Sequence, residues 1–511
     1  MKEDDCMKKP LVLCILDGCG IREETDGNAF KNADTKTLDM LMTKYPNSIL
    51  QASGKAVGLP EGQMGTSEVG HMNIGSGRIA IQPLEFINAE ITSKSFYNNK
   101  YILETLDHVK KYNSNLHIMG LLSDGGVHSH IDHLLALLDM CKQNNVSNIY
   151  LDIFLDGRDT YEKSALKYLD ILNNKLNELG IGKIATISGR YYGMDRDNNF
   201  DRIKLAYDAI VYGEGPVYND YKELLNSNYQ KEIYDEFVIP GIINKCPLND
   251  NDSVITFNFR KDRLRELLTL LSNPTAYEKE ANEKGLVVKR FNNLNTLTMY
   301  PVTETVLSKH AFNNLNLKNI LVDYLHEKGL SQLRIAETEK YPHVTFFFDG
   351  GKEVEYDDMK KVLIPSPKVA TYDLKPEMSV YEVTDSFLKE VENFDVTIMN
   401  LANGDMVGHT GVYEAAKQAV EDMDKCLAKI YQKVMDLNGI LIIIADHGNC
   451  DVMWDEFHKP VTSHTTNPVP CIITKEGIEL NDGKLADVAP TMLELLNLEI
   501  PKEMTGTSLI K

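Results

Sequence analysis

The chain has 511 residues, 43% of them hydrophobic and 25% charged, which is typical of a soluble globular protein but too long for one ordinary domain. The formal net charge of −21, with no strongly basic segment to offset it, argues against nucleic acid as a partner, and no apolar run is long enough to cross a bilayer. The N-terminal segment lacks the apolar stretch of a signal peptide and the eight cysteines include no CxxC pair, so we expect a cytoplasmic protein with reduced thiols.

The first predicted strand, LVLCIL, ends next to Asp17. A short apolar run rich in branched residues is typical of a buried strand. In open α/β sheets, ligands bind just beyond the carboxyl ends of the strands. Asp17 is therefore a candidate ligand-binding residue.

The glycine-rich segment QMGTSEVGHMNIGSGR comes next and contains Thr66 and Ser67. A serine or threonine beside glycines is most often a helix cap or a turn residue. A serine at a helix N-terminus can also be a nucleophile, because the positive end of the helix dipole favours a developing alkoxide and a bound phosphate. The pattern alone leaves both roles open for Ser67.

The middle of the chain repeats the order strand, charged turn, helix, which indicates a second α/β domain with a parallel sheet. The predicted strands NLHIMGLL, NIYLDIFL, KIATISG and SVITFNF each precede charged residues. A single arginine is usually a solvated surface residue, but a group of them beyond strand ends suits a phosphate or carboxylate. The residues in these turns are His128, Arg158, Asp159, Arg190, Arg196, Arg260 and Arg263.

Three histidines, His128, His130 and His133, form an HxHxxH cluster that could suggest zinc. No cysteine or aspartate completes a ligand set, and SHIDHLLALL is typical of a helix start. We therefore predict exposed histidines at this position rather than a metal site.

Two further apolar runs, VTIMNL and LIIIA, lead to acidic residues and histidines. The first reaches Asp405 and His409, whose spacing permits one helix face although the surrounding glycines favour a loop. The second reaches Asp446 and His447, and His464 lies in the Pro/Thr-rich segment PVTSHTTNPVP. A lone histidine is more often structural, but carboxylates and neutral imidazoles together hold zinc or manganese. Three strand ends therefore predict one metal-type site.

These features predict an α/β protein of two domains, one inserted into the other. Residues 1–80 and 315–511 would form a discontinuous metal-binding domain, and residues 81–314 an inserted substrate-binding domain. The connections are expected near Pro83 and after Pro301.

Ten motifs occur in an order that resembles one enzyme family. They are DGCG, MGTSEVGHMNIGSGR, SDGGVHSH, DGRDT, SGRYYGMDRD, NFRKDR, ETEKYPHVTFFF, NGDMVGHTG, ADHGN and TSHTTNPVP. Together they resemble the cofactor-independent phosphoglycerate mutases of the alkaline phosphatase superfamily. The resemblance implies an alkaline-phosphatase-like α/β sandwich with an inserted α/β domain. It also implies an isomerase that interconverts 3-phosphoglycerate and 2-phosphoglycerate through a phosphoserine, in glycolysis and gluconeogenesis and without 2,3-bisphosphoglycerate.

The resemblance implies two divalent metal ions, manganese above all, although the donor types also suit zinc, cobalt or magnesium. Asp405, His409 and His464 would hold one ion, and Asp17, Ser67, Asp446 and His447 the other. Ser67 would be the nucleophile and Asp159 the general acid/base. The substrate would be bound by His128, Arg158, Asp159, Arg190, Arg196, Arg260, Arg263 and Lys340. We expect a monomer that acts on a small molecule, with neither nucleic acid nor membrane as a partner.

The chain departs from the family pattern at Cys19, Asn199, Phe200 and Lys261. None of these positions carries an expected chemical role, so the departures bear on packing and substrate affinity. A metal-dependent phosphatase or a phosphopentomutase is the alternative enzyme, and the arginine-bearing middle domain counts against both. A sulfatase would need a CxPxR motif, which the sequence lacks. An inactive phosphoglycerate sensor is the alternative outside enzymes, but it would not need all seven metal-site residues.

Overall fold

The computed structural model describes residues 8–313 and 317–511. The chain divides into two compact units, one comprising Met1–Gln82 and Leu317–Lys511 and the other Pro83–Asn316. Both units are α/β, and the predicted two-domain α/β class is confirmed. We propose that the units are the two domains expected from the sequence.

Both units contain strands and helices. The strands are β1 (Leu11–Leu16), β2 (Asn47–Gln51), β3 (Leu116–Leu122), β4 (Ile149–Leu155), β5 (Lys183–Gly189), β6 (Gly241–Ile242), β7 (Ser253–Thr256), β8 (Asn295–Thr298), β9 (Lys309–His310), β10 (Gln332–Glu337), β11 (Met359–Ile364), β12 (Val396–Leu401), β13 (Ile440–Ile444), β14 (Val469–Ile473) and β15 (Gly483–Lys484). The helices are α1 (Ala29–Asn32), α2 (Lys36–Lys44), α3 (Ser67–Ser76), α4 (Pro83–Thr92), α5 (Lys100–Tyr112), α6 (Ile131–Gln143), α7 (Ala165–Leu179), α8 (Arg190–Gly193), α9 (Phe200–Tyr207), α10 (Tyr221–Tyr229), α11 (Arg265–Ser272), α12 (Glu278–Glu283), α13 (Leu321–Glu327), α14 (Val380–Glu390), α15 (Asn403–Gly408), α16 (Tyr413–Asp436) and α17 (Val488–Leu495).

The first unit is built on an eight-stranded sheet in the order β11-β10-β12-β1-β13-β14-β2-β15. Strands β11 to β13 in this order run parallel, and β14 is antiparallel to both of its neighbours. The three central strands are apolar and almost completely buried, as expected for strands covered on both faces. Their register pairs Leu16 with Leu401 and Ile15 with Ile444, so the carboxyl ends of the three strands lie side by side.

The second unit has a seven-stranded sheet in the order β6-β5-β4-β3-β7-β8-β9. All neighbours are parallel except β6, which is antiparallel to β5. The register aligns Leu122 with Leu155 and Leu155 with Gly189. The charged turns after β3, β4 and β5 therefore begin at the same edge of this sheet.

Two local predictions are wrong. The segment around Asp405 is not a loop but the short helix α15, which His409 ends; burial of its glycines in close contact with neighbouring residues overrides their low helix propensity. His128 and His133 are not exposed but buried, because helix α6 packs its first turn inward and Asn88 bonds the ring of His133 at 2.9 Å.

Among the described helices, none combines the length and the apolar character needed to span a membrane.

Candidate functional site

Three aspartates lie just beyond the ends of the central strands of the first unit. Asp17 follows β1, Asp405 follows β12 and Asp446 follows β13, and at most 2% of any of them is exposed. Asn400 donates to Asp17 Oδ2 at 2.7 Å, and Asn449 donates to Asp405 Oδ1 at 2.8 Å. The site predicted from three apolar runs is thus assembled from residues that are hundreds of positions apart.

Helix α3 points its N-terminus at these carboxylates. Thr66 is the N-cap residue, and its side chain accepts from the backbone N–H of Val69. The capping role therefore belongs to Thr66, and Ser67, the first residue of the helix, keeps its hydroxyl for other partners. Ser67 Oγ lies 2.8 Å from His447 Nε2, 2.7 Å from the Lys340 Nζ donor and 3.3 Å from Asp17 Oδ1.

The close approach of α3 to β13 depends on a glycine. A Cβ built on Gly70 would lie 2.8 Å from the carbonyl oxygen of Asp446, closer than real Cβ contacts allow. Gly70 stands one turn into the helix, so a larger residue there would push the Ser67 end of α3 away from Asp446. The glycine-rich composition of the segment thus has a positional reason.

His409 and His464 converge on Asp405. Each ring has a backbone carbonyl within hydrogen-bond distance of its Nδ1 atom, Thr462 O at 2.7 Å and Gly65 O at 2.8 Å. Donation from Nδ1 leaves the two Nε2 atoms as acceptors in the neutral rings. These Nε2 atoms are 3.0 Å apart and lie 3.2 and 3.1 Å from Asp405 Oδ1.

When both rings are neutral, the Nε2 atoms of His409 and His464 and the Oδ1 atom of Asp405 are three acceptors that face one another with no hydrogen between them. Such an arrangement is repulsive unless a cation or a proton lies at its centre, and outer bonds from Nδ1 to carbonyls are typical of histidines that ligate metals. In addition, Asp446 Oδ2 is buried, and no donor among the described residues bonds it with hydrogen-bond geometry. The donor set therefore fits divalent cations, as three carboxylates with imidazoles should.

His447 belongs to both halves of the site. Its Nε2 atom lies 3.3 Å from Asp17, 3.6 Å from Asp446 and 3.9 Å from Asp405. Burial by itself lowers the pKa of His447, but Asp446 and Asp17 raise it to about 10 overall. In the part of the chain that the structure describes, two groups have metal-binding spacing, Asp405 with His447 and His464, and Asp17 with His71 and Asp446. The division of the seven predicted ligands between two ions stays a prediction.

His71 is a site residue that the sequence reasoning missed. It lies four residues after Ser67 on α3, and its Nδ1 atom is 2.8 Å from the carbonyl oxygen of Ser67 and 3.2 Å from Asp446 Oδ2. Its Nε2 atom lies 3.1 Å from the Asn400 amide. The GTSEVGH spacing of one helical turn could have indicated that His71 and Ser67 share a face.

Lys340, expected to bind substrate, lies in this acidic site of the first unit. Only 3% of the residue is exposed, and its ammonium group donates to Asp17 Oδ1 at 2.9 Å and to Asp405 Oδ2 at 2.6 Å. Burial opposes the charge, but Asp17 and Asp405 raise the pKa of Lys340 well above its usual range. The Lys340 ammonium group is thus a fixed positive charge among three carboxylates.

The charged turns of the second unit gather around His128 and Asp159. Arg190 is buried and donates from one Nη1 atom to both Asp156 and Asp159, so it orients the carboxylate expected to act as acid/base. His128 Nε2 lies 3.9 Å from Asp159 Oδ2. Burial and the neighbouring Arg190 lower the pKa of His128 to about 3, so this ring is neutral at physiological pH.

The remaining predicted arginines are more accessible. The side chains of Arg158, Arg196 and Arg260 are 54%, 44% and 51% exposed, whereas Arg263 is partly buried. Sequence reasoning missed Asp262, which lies 3.2 Å from Arg196 and 3.3 Å from Arg260. An acidic residue inside the basic motif NFRKDR was the available signal. Carboxylates thus pair with several of the arginines in this cluster.

Comparisons with known proteins identify the superfamily of the chain. A model of the metalloenzyme superfamily matches residues 9–500. A phosphoglycerate mutase of Leishmania mexicana, crystallised at low cobalt concentration, is 28% identical, with 100% of this chain and 99% of that chain covered and a TM-score of 0.69. The PH0037 protein of Pyrococcus horikoshii is 10% identical, with coverage of 97% and 98% and a TM-score of 0.37. An alkaline phosphatase from the Antarctic bacterium TAB5 is 8% identical, with coverage of 97% and 99% and a TM-score of 0.26. The resemblance indicated by the ten motifs is confirmed by the first two findings.

Proposed function

Because the chain belongs to the metalloenzyme superfamily, we propose that it is a cofactor-independent phosphoglycerate mutase. It would interconvert 3-phosphoglycerate and 2-phosphoglycerate, a step of glycolysis and gluconeogenesis, as an isomerase without 2,3-bisphosphoglycerate. The observation that carries this proposal is Ser67, whose hydroxyl is free of the helix cap and lies among Asp17, His447 and Lys340. The similarity to the Leishmania mexicana phosphoglycerate mutase supports the substrate.

Two divalent cations, with manganese as our first expectation, would be held by the seven converging residues. These are Asp17, Ser67, Asp405, His409, Asp446, His447 and His464. When bound, such cations lower the pKa of a coordinated hydroxyl and neutralise charge on a transferring phosphoryl group. His71 and Asn400 would orient the ligands from outside, as outer partners of metal ligands do.

The reaction would consist of two transfers at one serine. Ser67 Oγ, deprotonated to the alkoxide, would attack the phosphorus of 3-phosphoglycerate, so that the bond from phosphorus to the glycerate 3-oxygen breaks and phosphoserine forms. Glycerate then turns, its 2-oxygen attacks the phosphoserine, and Ser67 Oγ leaves. Lys340 stabilises the negative charge on Ser67 Oγ in both directions, since its ammonium group lies 2.7 Å away.

The second unit would bind the glycerate portion and handle its proton. Asp159 would protonate the departing 3-oxygen and later accept the proton of the 2-hydroxyl. Its bond to Arg190 fixes the orientation of the Asp159 carboxyl group. Neutral His128 can accept or donate a hydrogen bond to a hydroxyl, and Arg158, Arg196, Arg260 and Arg263 suit the carboxylate and phosphate.

The proposal is tested by following the phosphoryl group. Protein incubated with ³²P-labelled phosphoglycerate and manganese is quenched, and the labelled peptide is identified, while an enolase-coupled assay measures mutase activity. We expect label on Ser67, no label and no activity in Ser67→Ala, and both retained in the control Ser76→Ala on the same helix. Release of inorganic phosphate without isomerisation would identify a phosphatase, and binding without labelling would identify a sensor.

A further inference from the structure

Two buried carboxyl groups, those of Asp195 and Glu266, accept hydrogen bonds from the backbone of the segment 194–199, which carries Arg196. Asp195 Oδ1 accepts from the backbone N–H groups of Asp197 at 2.9 Å and of Asn199 at 3.0 Å. Glu266, on α11, accepts from the N–H of Asn198 at 3.0 Å. Three successive backbone amides, those of residues 197–199, thus donate to this pair.

The hydrogen-bond pattern of Glu266 is that of a carboxylic acid. The residue is completely buried, and its Oε2 atom has no donor within hydrogen-bond distance among the described residues. A buried carboxylate oxygen without a donor is costly, whereas the oxygen of a carboxylic acid that carries the proton needs none. Burial is the main cause that raises the pKa of Glu266 to about 7, and the neighbouring Asp195 contributes in the same direction.

Asp195 is the natural acceptor of that proton. Its pKa is lowered overall although burial opposes this, because the Asn199 and Asp197 amides and the Glu266 carboxyl group donate to it. A protonated Glu266 beside an ionised Asp195 leaves one negative charge at the pair. Loss of the proton would place two negative charges side by side in a buried position.

The arginines around the pair do not offset a second negative charge. Arg202 lies 3.2 Å from Asp195 and Arg265 lies 3.6 Å from Glu266, but their side chains are 34% and 38% exposed and hence screened by solvent. Arg265 also donates to the backbone carbonyl of Arg196. The Arg196 side chain itself pairs with Asp262 on the other side of the segment.

We propose that Asp195 and Glu266 form a proton-sharing carboxyl pair that positions the 194–199 segment, and that loss of the shared proton to solvent releases Arg196 from its binding orientation. The part that concerns substrate rests on the proposed function, since Arg196 is expected to bind phosphoglycerate. Glu266 and Asp195 are positioning residues, because neither is expected to touch the substrate.

A glutamine at position 266 separates this idea from a purely structural role. In Glu266→Gln, the amide oxygen accepts from Asn198 as before, and the amide nitrogen donates permanently to Asp195. The variant therefore mimics the protonated pair at every pH. Asp195→Asn provides a second variant, in which an amide nitrogen replaces an oxygen that accepts from Asn199 and Arg202, so the segment should be loosened at every pH. Glu283→Gln is the control, since Glu283 is exposed on the nearby helix α12.

Hydrogen exchange of the amides of residues 197–199 tests the pair without substrate. After correction for the intrinsic pH dependence of exchange, the rate in the native chain and in Glu283→Gln should rise above pH 7, by up to about tenfold per pH unit. The corrected rate should stay flat in Glu266→Gln and in Asp195→Asn. The same rise in the native chain and in both variants would overturn the proposal.

The Michaelis constant for 3-phosphoglycerate tests the link to Arg196. The ratio of the native KM to that of Glu266→Gln should rise between pH 7 and 9, with a much smaller change in kcat. A flat ratio together with the expected exchange results would overturn the role of the segment in binding. Labelling of Ser67 is independent of both measurements, so failure here and failure of the proposed function give different results.

Discussion

Replacing Lys340 by methionine should destabilise the metal-free first unit and make its stability depend strongly on cations. Methionine keeps the approximate volume of the side chain and removes the ammonium group that lies 2.9 Å from Asp17 and 2.6 Å from Asp405. At most 3% of any of these three side chains is exposed, so solvent cannot replace the lost charge. Breaking one side of a buried ion pair costs about 3–5 kcal/mol.

The single tryptophan of the chain makes the measurement specific. Trp454 lies in the first unit, so its fluorescence during urea unfolding reports on that unit. At pH 8 without metal, Lys340→Met should lower the free energy of unfolding by about 3–5 kcal/mol. Added manganese should reduce the difference in unfolding free energy between the native chain and Lys340→Met, because divalent cations neutralise the carboxylates that have lost the Lys340 ammonium group.

Lys360→Met is the matched control. Lys360 forms an ion pair with Glu390 at 2.7 Å, but its side chain is 48% exposed, and exposed pairs contribute about 0–1 kcal/mol. The reasoning is refuted if the two variants are equally stable, or if manganese leaves the deficit of Lys340→Met unchanged.

Two further predictions concern buried groups near the same site. His71→Asn should lower cation affinity in calorimetric titration by about 10–100-fold, as loss of an outer partner does; complete loss of one cation equivalent would instead make His71 a direct ligand. Burial is the main cause that raises the pKa of Glu337 from 4.5 to about 7, so the stability contributed by its protonated form is complete below pH 4.5 and is lost as pH rises to 7. Between pH 4.5 and pH 7, the free energy of unfolding of Glu337→Gln in the Trp454 assay should therefore rise relative to that of the native chain by up to about 3 kcal/mol. A difference in unfolding free energy that does not change with pH would contradict this.

The strand ends of the metal-type site could be predicted because hydrophobic burial leaves a direct trace in the sequence. Each apolar run is continuous, and parallel sheets bring the ends of such runs to one edge. The same trace placed His128, Asp159 and Arg190 after strands of the second sheet. The choice between the two roles of Ser67 needed the structure, because only the helix start shows that Thr66 is the cap.

Other features could not be derived because they depend on the rotation of helices and on long-range pairing. His71 faces Asp446 only through the way α3 lies against the end of β13, which local sequence does not specify. Asp156 and Asp262 become site residues by pairing with arginines from other turns. The glycines around Asp405 favoured a loop, but the segment is helical because tertiary packing outweighs the low helix propensity of glycine there.

The two sites solve opposite electrostatic problems with the same device. In the first unit, three buried carboxylates would repel one another, and Lys340 offsets one of the three charges while leaving capacity for divalent cations. In the second, clustered arginines would repel one another, and Asp156, Asp159 and Asp262 hold them apart while leaving a positive excess for an anion. Each cluster is thus compensated enough to fold but not enough to be neutral. The uncompensated remainder, negative in one unit and positive in the other, is what cations and a phosphorylated carboxylic acid would bind.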